Sequence, residues 1–276
     1  MTTCKKIYET DPWLEPYKGA IDARHGHILS DLEKLSRGGG LSAAVNNHIY
    51  YPLHKEGESW VIREWAPNAT RIYLIGECNN WKRTEAYACS PVGEGNWELR
   101  ITDLFLRHGD LYKLWIEWPG GGGERLPAYV TRVVQDPETK IFSAQVWAPQ
   151  QSYKWKWRKP GRRPHPLIYE CHIGMSSEEE KVSSFDEFRR SVLPRVKALG
   201  YNVLQIMALQ EHPYYGSFGY QVSNFFALSS RFGTPEEFKL LVDEAHHQGI
   251  AVVMDIVHSH AVDNEAEGLS RLDGRD

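Results

Sequence analysis

The pattern of hydrophobic and polar positions changes twice along the chain. In residues 1–44, apolar side chains recur at roughly helical spacing, which predicts a helical segment. Thr10 and Asp11 are candidate N-caps, and Pro12 suits the first helical position. The glycines at 38–40 end this predicted helix. We therefore expect residues 1–44 to form a short N-terminal helical segment, too short to be an independent domain.

Residues 45–155 have a different pattern. Short runs rich in Val, Ile, Tyr and Trp alternate there with turn signals made of Pro, Asn and Gly. The runs cover 60–65, 71–76, 97–101 and 111–118. Several short strands separated by regular turns are typical of an all-β sandwich, which is the fold we expect for this stretch. The glycine tract 120–123 predicts an exposed hairpin tip within it.

The pattern of residues 156–276 predicts the order β-α-β-α-β. The predicted strands are nearly all apolar and cover 167–173, 203–209 and 250–257. A capping box begins each predicted helix, at 184–187 and at 234–237. Pro194 lacks a backbone donor and is expected to kink the first helix.

Apolar strands joined by helical crossovers predict a parallel sheet that is buried on both faces. Two architectures fit this order, a doubly wound sheet and a (β/α)₈ barrel. No GxGxxG motif follows the first strand, which counts against a dinucleotide-binding fold.

A basic, proline-containing stretch joins the second pattern to the third. Residues 151–165 carry Lys and Arg at several positions. Such a stretch either contacts an anion or is a solvated connector, and the second is the commoner case.

Polar side chains lie at the carboxyl ends of the predicted strands, where parallel α/β units keep their functional groups. They are Glu170 and His172 at the end of the first strand, Glu211, His212, Tyr214, Tyr215 and Tyr220 in the loop that the second strand leads into, and Asp255, His258 and His260 at the end of the third. Asp255, His258 and His260 admit three interpretations. They are metal ligands, or they hydrogen-bond sugar hydroxyls while Tyr220 stacks on a ring, or they only cap the strand.

Composition narrows the classes of function. The chain has 10 Trp, 14 Tyr and 9 Phe; flat rings stack on sugar faces, although a Trp-rich sandwich core explains any single Trp equally well. The net charge of −4 argues against nucleic acid as a partner. No apolar run long enough to span a membrane and no signal-peptide pattern occur, and the 4 separated cysteines are typical of a reduced, cytosolic protein.

Several motifs resemble, in order, those of one enzyme family. They are 64–69 and 76–81 in the second stretch, and Glu170-Cys-His-Ile-Gly174, 210–221, 231–238 and Asp255-Ile-Val-His-Ser-His260 in the third. These motifs resemble the glycogen and starch branching enzymes of the α-amylase superfamily from about Asp11 to Asp276. The resemblance implies an immunoglobulin-like β-sandwich that binds glycan at 45–155. The first three strands of an incomplete (β/α)₈ catalytic barrel follow at 156–276.

The resemblance also implies substrate-binding residues in the barrel part. Tyr220 matches a tyrosine whose ring stacks under the sugar at the cleavage subsite, with Gln221 beside it. His260 matches a histidine that hydrogen-bonds this sugar, and Asp255 matches the aspartate that organises the subsite.

In the sandwich, the resemblance implies glycan contacts at Trp81 and Lys113. Trp65, Pro67 and Trp97 are weaker candidates, because core packing explains the two tryptophans about as well. The loop before Trp81 departs from the family's Gly-Asp-Phe-Asn-Gly-Trp form at Glu77, Cys78 and Asn80. The resemblance therefore does not predict the conformation of this loop.

Enzymes of this family cleave an α-1,4 link and transfer the chain to a glucose 6-hydroxyl with retention of configuration, by double displacement. Their nucleophilic Asp and acid/base Glu are expected beyond Asp276, so the chain alone should lack transferase activity. The implied partner is an α-glucan such as glycogen or amylose. No metal or organic cofactor, nucleic acid or membrane is implied, and the full-length protein is expected to be a cytoplasmic monomer.

Three other functions stay open at this point. They are a debranching-type enzyme of the same superfamily, a non-catalytic glycan-binding protein, and a metal-dependent barrel hydrolase that uses Asp255, His258 and His260. We also expect the third barrel strand to have an unpaired edge, which would make the chain poorly soluble.

Overall fold

Two units make up the chain, Met1–Tyr50 and Tyr51–Asp276. The computed structural model describes residues 6–36, 42, 45–102, 106–162 and 164–275, with Leu35 and Ser36 described by their backbone only. Cys4 and the expected helix end at 38–40 lie outside the described residues.

Short helical elements form the first unit. They are α1 (Ile7–Thr10), a 3₁₀ turn (Pro12–Tyr17), α2 (Lys18–Ser36) and α3 (Asn47–Tyr50). Asp11 is the cap that the sequence predicts, because its Oδ1 accepts the Trp13 N–H at 3.1 Å. The regular α-helix begins at Lys18 instead of Pro12, since Pro16 lies within the tight turn and has no N–H to donate.

Two antiparallel sheets make up the β-sandwich. The first has the order β1-β2-β5-β4, formed by His54–Glu56, Ser59–Trp65, Asn96–Thr102 and Ser90–Gly93. The second has the order β3-β6-β9-β8, formed by Arg71–Gly76, Leu111–Trp118, Phe142–Gln145 and Val133–Gln135, with β7 (Gly121–Arg125) also paired to β6. The predicted runs match β2, β3, β5 and β6 to within one residue at each end.

Side chains alternate between the core and the outer face along these strands, as period-2 geometry requires. Trp60 and Ile62 of β2 lie in the same buried cluster as Leu74 of β3 and Leu114 and Ile116 of β6. The core is therefore enclosed between the two sheets, and the predicted sandwich is confirmed.

The glycine tract is a strand and not a hairpin tip, so that expectation is wrong in part. Gly121 and Gly123 pair with β6, and the turn consists of Pro119 and Gly120. A Cβ on Gly121 would lie 2.8 Å from the Trp118 indole nitrogen. Glycine is needed here because that ring lies against the strand.

A parallel sheet of order β10-β11-β14 forms the α/β part, from Ile168–Cys171, Val203–Ile206 and Ala251–Met254. The first crossover consists of α4 (Phe185–Glu187), a π-helical turn (Phe188–Val192) and α5 (Leu193–Ala198). The second contains the hairpin β12 (Gln210–Glu211) and β13 (Asn224–Leu228), followed by α6 (Pro235–His247). The predicted β-α-β-α-β order is confirmed, and the irregularity expected at Pro194 takes the form of the π turn just before it.

Both predicted capping boxes are present. Ser184 Oγ accepts the Glu187 N–H at 3.2 Å while Glu187 Oε2 accepts the Ser184 N–H at 2.9 Å. Thr234 and Glu237 make the same reciprocal pair at 3.2 and 2.7 Å.

Burial on both faces holds only for the central strand of this sheet. Three residues of β11 are fully buried or nearly so, whereas Ile168 of β10 and Val253 of β14 are about half-exposed. Within the described residues, β10 and β14 each pair with β11 alone. The outer strands therefore present apolar side chains and a free edge.

The stretch 153–157, here called the tryptophan strap, is not a freely solvated connector. The carboxylate of Asp243, on α6, accepts the Tyr153 hydroxyl at 3.0 Å and the Trp157 N–H at 2.9 Å. It also accepts the Lys156 N–H at 3.1 Å. The backbone of the strap is therefore fixed to the helix.

The sandwich and the α/β part share an interface within the second unit. Arg132 donates to the Gly233 carbonyl at 2.7 Å, and the Trp147 indole donates to Glu236 Oε2 at 2.7 Å. Ala227 of β13 lies in the core cluster of the sandwich. The two parts consequently pack as neighbours and are not joined by the linker alone.

Candidate functional site

Tyr220 and Asp255 meet at the carboxyl end of the parallel sheet. Asp255 follows β14, and its N–H donates to the Ile206 carbonyl of β11 at 2.9 Å. The Tyr220 hydroxyl, from the loop between β12 and β13, donates to Asp255 Oδ2 at 2.7 Å. This hydrogen bond, with burial, raises the pKa of Tyr220 to about 12. The phenol therefore remains a protonated donor in neutral solution.

His260 joins this pair through the backbone. Its Nε2 lies 2.6 Å from the Tyr220 carbonyl oxygen, which only accepts, so Nε2 carries the proton. Its Nδ1 then accepts from the Ser259 hydroxyl at 2.9 Å. Three of the four predicted barrel residues thus form one exposed cluster, while Gln221 is exposed and next to Tyr220 in the chain.

The metal interpretation has no ligand cluster in this geometry. Among the described residues, no group of three or more His, Cys, Asp and Glu side chains could hold a metal ion. His258 faces the Ile256 carbonyl at 3.4 Å, whereas His260 faces Tyr220. The side chains of the Asp-x-x-His-x-His motif therefore have separate partners.

The loop that carries Tyr220 depends on a glycine. Gly219 has φ +89°, and a Cβ there would lie 2.0 Å from the Ala208 carbonyl oxygen. Any side chain at this position would displace the adjacent tyrosine. The loop is thus held against the segment that directly follows β11 by a backbone contact that only glycine permits.

Gln210 holds the same region together, and the motif analysis did not single it out. Its Oε1 accepts the Val257 N–H at 2.9 Å, and its Nε2 donates to the Phe225 carbonyl at 3.1 Å. One buried amide therefore links the segment after β14 to β13. In the sequence, this role is indicated by an amide side chain directly after the apolar run 203–209.

Glu211 lies below the surface of the site. Its carboxylate is fully buried and accepts from the Ser229 hydroxyl at 2.9 Å, the Ser230 N–H at 2.8 Å and Arg231 at 3.2 Å. Burial raises its pKa. These contacts fix the turn after β13, and Glu211 has no surface to offer a substrate.

His172 and His212 are also buried. Burial lowers the pKa of both imidazoles, so they are neutral. His172 Nδ1 accepts the Met175 N–H at 3.2 Å, and His212 Nδ1 donates to the Gln210 carbonyl at 2.9 Å. Neither belongs to the exposed cluster of Tyr220, Asp255 and His260.

In the sandwich, Trp81 stands at the end of a tight loop and is 40% exposed. Its N–H donates to the Gly76 carbonyl at 2.8 Å, and Asn79 Oδ1 accepts the Gly76 N–H at 3.0 Å. Asn80 has φ +54°, a left-handed conformation that Asn adopts more readily than most residues. The replacement of the family's glycine by Asn80 is therefore compatible with a tight loop.

Lys113 lies on β6 and is nearly buried. Its ammonium forms an ion pair with Glu124 of β7 at 2.8 Å. Lys113 belongs to the sheet that contains β3 and β6, and Trp81 lies in the loop that follows β3.

The remaining three candidates lie at the other sheet, around the start of β5. Trp65 is half-exposed, and its indole donates to the Glu94 carbonyl at 3.1 Å. Trp97 packs partly buried against the core and donates to the Ala66 carbonyl at 3.0 Å. Pro67 is exposed between them in the chain. The glycan contacts predicted in the sandwich therefore form two groups. Trp81 and Lys113 lie at one sheet, and Trp65, Pro67 and Trp97 lie at the other.

Comparison with known proteins supports the same division of the chain. The family model of carbohydrate-binding module 48 (isoamylase N-terminal domain) matches residues 51–139, and that of the α-amylase catalytic domain matches residues 191–268. A 1,4-α-glucan-branching enzyme of Dictyostelium discoideum is 41% identical over 98% of this chain. Along nearly its whole length, the chain is similar to 1,4-α-glucan-branching enzymes.

A second relative, the chloroplastic/amyloplastic 1,4-α-glucan-branching enzyme 2-2 of Arabidopsis thaliana, is 42% identical over 99% of the chain. The chain spans 41% of the Dictyostelium protein and 35% of the Arabidopsis protein. It therefore corresponds to about two fifths of the curated relatives that it matches.

The fold of the chain also recurs in solved structures. The catalytic module of the glycogen-degrading pneumococcal virulence factor SpuA superposes with a TM-score of 0.62 at 18% identity, covering 77% of this chain and 37% of that one. The predicted class, a β-sandwich module followed by part of an α-amylase-type barrel, is confirmed. No helix in the described part of the chain is long and apolar enough to cross a membrane.

Proposed function

We propose that the chain is the glycan-binding and barrel-initiating part of a 1,4-α-glucan-branching enzyme. The observation that carries this proposal is the exposed cluster of Tyr220, Asp255 and His260, which joins two loops at the carboxyl end of a parallel sheet. Active sites of barrels are built at this end. Relatives named branching enzyme, about 41% identical along nearly the whole chain, favour branching over debranching.

Each residue of the cluster has a role that its geometry supports. The Tyr220 ring, more than one third exposed, stacks on the apolar face of a glucose unit. The hydrogen bond to Asp255 fixes the orientation of that ring and leaves Asp255 Oδ1 to accept from a sugar hydroxyl. His260, anchored through Nε2, limits the position of the loop, and Gln221 contributes an amide beside the ring.

The whole protein would transfer an α-1,4-linked chain to a glucose 6-hydroxyl through a covalent glucosyl intermediate, with retention. None of the polar side chains in the described cluster matches the family's nucleophile or acid/base residue. We therefore expect the 276 residues to bind α-glucan without transferring it. No metal or organic cofactor is needed for this reaction type.

The sandwich supplies a second contact with glucan, at Trp81. Its ring is exposed on a loop held by Asn79, so it is presented to solvent with little conformational freedom to lose. Lys113 lies on the sheet whose strand β3 leads into this loop, and the Glu124 contact keeps its ammonium in place.

Glycogen affinity electrophoresis of the 276-residue chain tests this proposal. We expect retardation of the wild-type chain and weaker retardation for Trp81→Ala and for Tyr220→Ala. Tyr220→Phe should be intermediate, because it keeps the ring and loses the hydrogen bond to Asp255. Incubation with amylose followed by debranching and chain-length analysis should give no new α-1,6 links. A chain that glycogen does not retard, or one that makes new branches, would overturn the proposal.

A further inference from the structure

We propose that the tryptophan strap is a further α-glucan-binding surface, separate from Trp81 and from the Tyr220 cluster. The inference rests on the proposed function for the class of its ligand. It rests on the structure for its location, because Trp155 and Trp157 are large apolar side chains that remain 54% and 46% exposed.

The strap is held rigidly although it has no regular secondary structure. Asp243 is 2% exposed and receives three donors from the strap, the Tyr153 hydroxyl and the N–H groups of Lys156 and Trp157. Burial alone would raise the pKa of this carboxyl, but the three hydrogen bonds outweigh it and hold the pKa below its usual value. The aromatic rings are therefore presented on a fixed backbone, which lowers the entropy lost on binding.

Two histidines of α6 support the rings. The Trp157 ring stacks on His247 with 4.0 Å between centroids and 23° between planes. The Trp155 ring lies 6.5 Å from His246 and contacts Tyr153 edge-on at 5.1 Å. Since each indole is supported on one side and half-exposed, it has surface left for a ligand.

The spacing of the two tryptophans suits consecutive sugar units. Trp155 and Trp157 are two residues apart in a non-helical segment, so their Cα atoms are at most about 7 Å apart. Each flat ring offers an apolar face for a glucose unit to stack on, while the hydroxyl rims of the sugars remain able to bond polar groups. Lys154 and Lys156 are exposed, are neighbours of the two tryptophans in the chain, and supply such donors.

A polyanion is the competing ligand, because the stretch 151–165 is basic. The structure favours glucan for two reasons. The fixed elements are the rings, whereas the ammonium groups of Lys154 and Lys156 are exposed. The carboxylate of Asp243 lies directly beneath the strap, and that of Glu244, the next residue of α6, lies 3.7 Å from His247 Nδ1, so both oppose the positive charge. A polyanion would contact the lysines, and a glucan would cover the rings.

Oxidative footprinting of the wild-type chain with N-bromosuccinimide separates these cases without any substitution. Mass spectrometry reads the oxidation of Trp155, Trp157, Trp81 and Trp13 with and without maltoheptaose or heparin. We expect maltoheptaose to slow the oxidation of Trp155 and Trp157 and heparin not to do so. Trp13, 87% exposed in the N-terminal unit, is the internal control and should not change.

The outcomes distinguish this inference from the proposed function. Protection of Trp81 without protection of Trp155 and Trp157 overturns the inference alone. Absence of protection at all three overturns the inference and the proposed contact at Trp81, and it overturns the proposed function as well when glycogen also fails to retard the chain. Protection of Trp155 and Trp157 by heparin only assigns the strap to polyanions and overturns the glucan assignment.

Variants give an independent measurement on the full chain. In a Trp81→Ala background, adding W155A and W157A should weaken the remaining glycogen affinity by about tenfold, the factor that corresponds to about 1.4 kcal/mol. The Phe replacements at both positions should retain most of it, because they keep flat rings. Equal retardation of the Ala and Phe variants, with unchanged circular dichroism, would refute the stacking role.

Discussion

Glu64 is a carboxyl group inside the sandwich core, and it gives a stability test that depends on pH. It follows Trp60 and Ile62 on the inward face of β2 and is 2% exposed. Its oxygens accept the Trp65 N–H at 2.9 Å and the Ala128 N–H at 2.8 Å. Burial nevertheless dominates these two hydrogen bonds and raises the pKa of Glu64 from 4.5 to about 7.

The sign of the effect follows from proton linkage. Between the two pKa values the folded chain binds more protons than the unfolded chain, so the free energy of unfolding falls as pH rises. A shift of this size corresponds to about 3 kcal/mol, since one pKa unit is worth about 1.4 kcal/mol. The loss begins near the unfolded pKa and is nearly complete about one pH unit above the folded pKa of about 7.

Urea denaturation of wild type and Glu64→Gln at several pH values tests this value. Near about pH 5, most of the folded wild type carries a neutral Glu64. The glutamine amide has one acceptor oxygen for the two N–H groups of Trp65 and Ala128, so Glu64→Gln should be less stable than wild type there by about 1–3 kcal/mol. By about pH 8 the difference between the two proteins should have moved in favour of the Gln variant by roughly 2–3 kcal/mol.

Glu58→Gln, at an exposed position in the turn before β2, is the matched control and should show no such trend. A stability difference between wild type and Glu64→Gln that stays flat with pH would refute the reasoning. It would mean that the N–H groups of Trp65 and Ala128 stabilise the ionised carboxylate as well as water does.

Three further substitutions test contacts that hold the α/β part together. Thr234→Ala removes the hydroxyl that accepts the Glu237 N–H and should lower the free energy of unfolding by about 1 kcal/mol in urea denaturation; no change would mean that the cap is replaced by solvent. Glu211→Ala removes the acceptor of the Ser229 and Ser230 hydroxyls, while Arg231 keeps the His212 and Pro213 carbonyls; the free energy of unfolding from urea denaturation should fall by about 2–4 kcal/mol, and a loss below about 1 kcal/mol would show that water fills the site. Asp243→Asn should lower stability at neutral pH and reduce its loss on acidification, because the depressed pKa of Asp243 means that its contribution disappears as pH falls through that pKa; parallel acid-unfolding curves would contradict this.

Local patterns predicted the elements of this fold well. The run 71–76 coincides with β3, and both capping boxes start helices where Ser184 and Thr234 predict them. These signals depend on neighbours in sequence: alternation along a strand, or a hydroxyl three residues before a carboxylate. All the residues that form such a signal lie within a few positions of one another in the sequence.

Long-range contacts of polar residues could not be predicted in the same way. Asp243 has the spacing of an ordinary polar position on a surface helix, yet its partners lie 86–90 residues away in the strap. Glu64 continues the inward series of β2, where alternation predicts an apolar residue. The neighbouring sequence does not distinguish these carboxylates from solvated ones, because the segments that bury them are distant in the chain.

The residues of the candidate site were singled out through resemblance more than through pattern, and their role in binding stays a prediction. Tyr220, Asp255 and His260 lie together because β11 and β14 are parallel neighbours, which the β-α-β order predicts. Their hydrogen bonds also require Gly219 against the Ala208 carbonyl. That contact depends on three-dimensional packing, and no spacing rule contains it.

The interface between the sandwich and the α/β part has a consequence for avidity. Because Arg132 and Trp147 hydrogen-bond Gly233 and Glu236 directly, the sandwich does not move on a free tether. If the proposed function holds, a glucan bound at the sandwich meets the Tyr220 subsite at a fixed effective concentration. That concentration is set by the distance between the two sites and not by linker length. Glucans too short to span the two sites would gain nothing from the module, whereas longer ones would gain steeply, so the fold itself would impose a minimum length on the chains it retains.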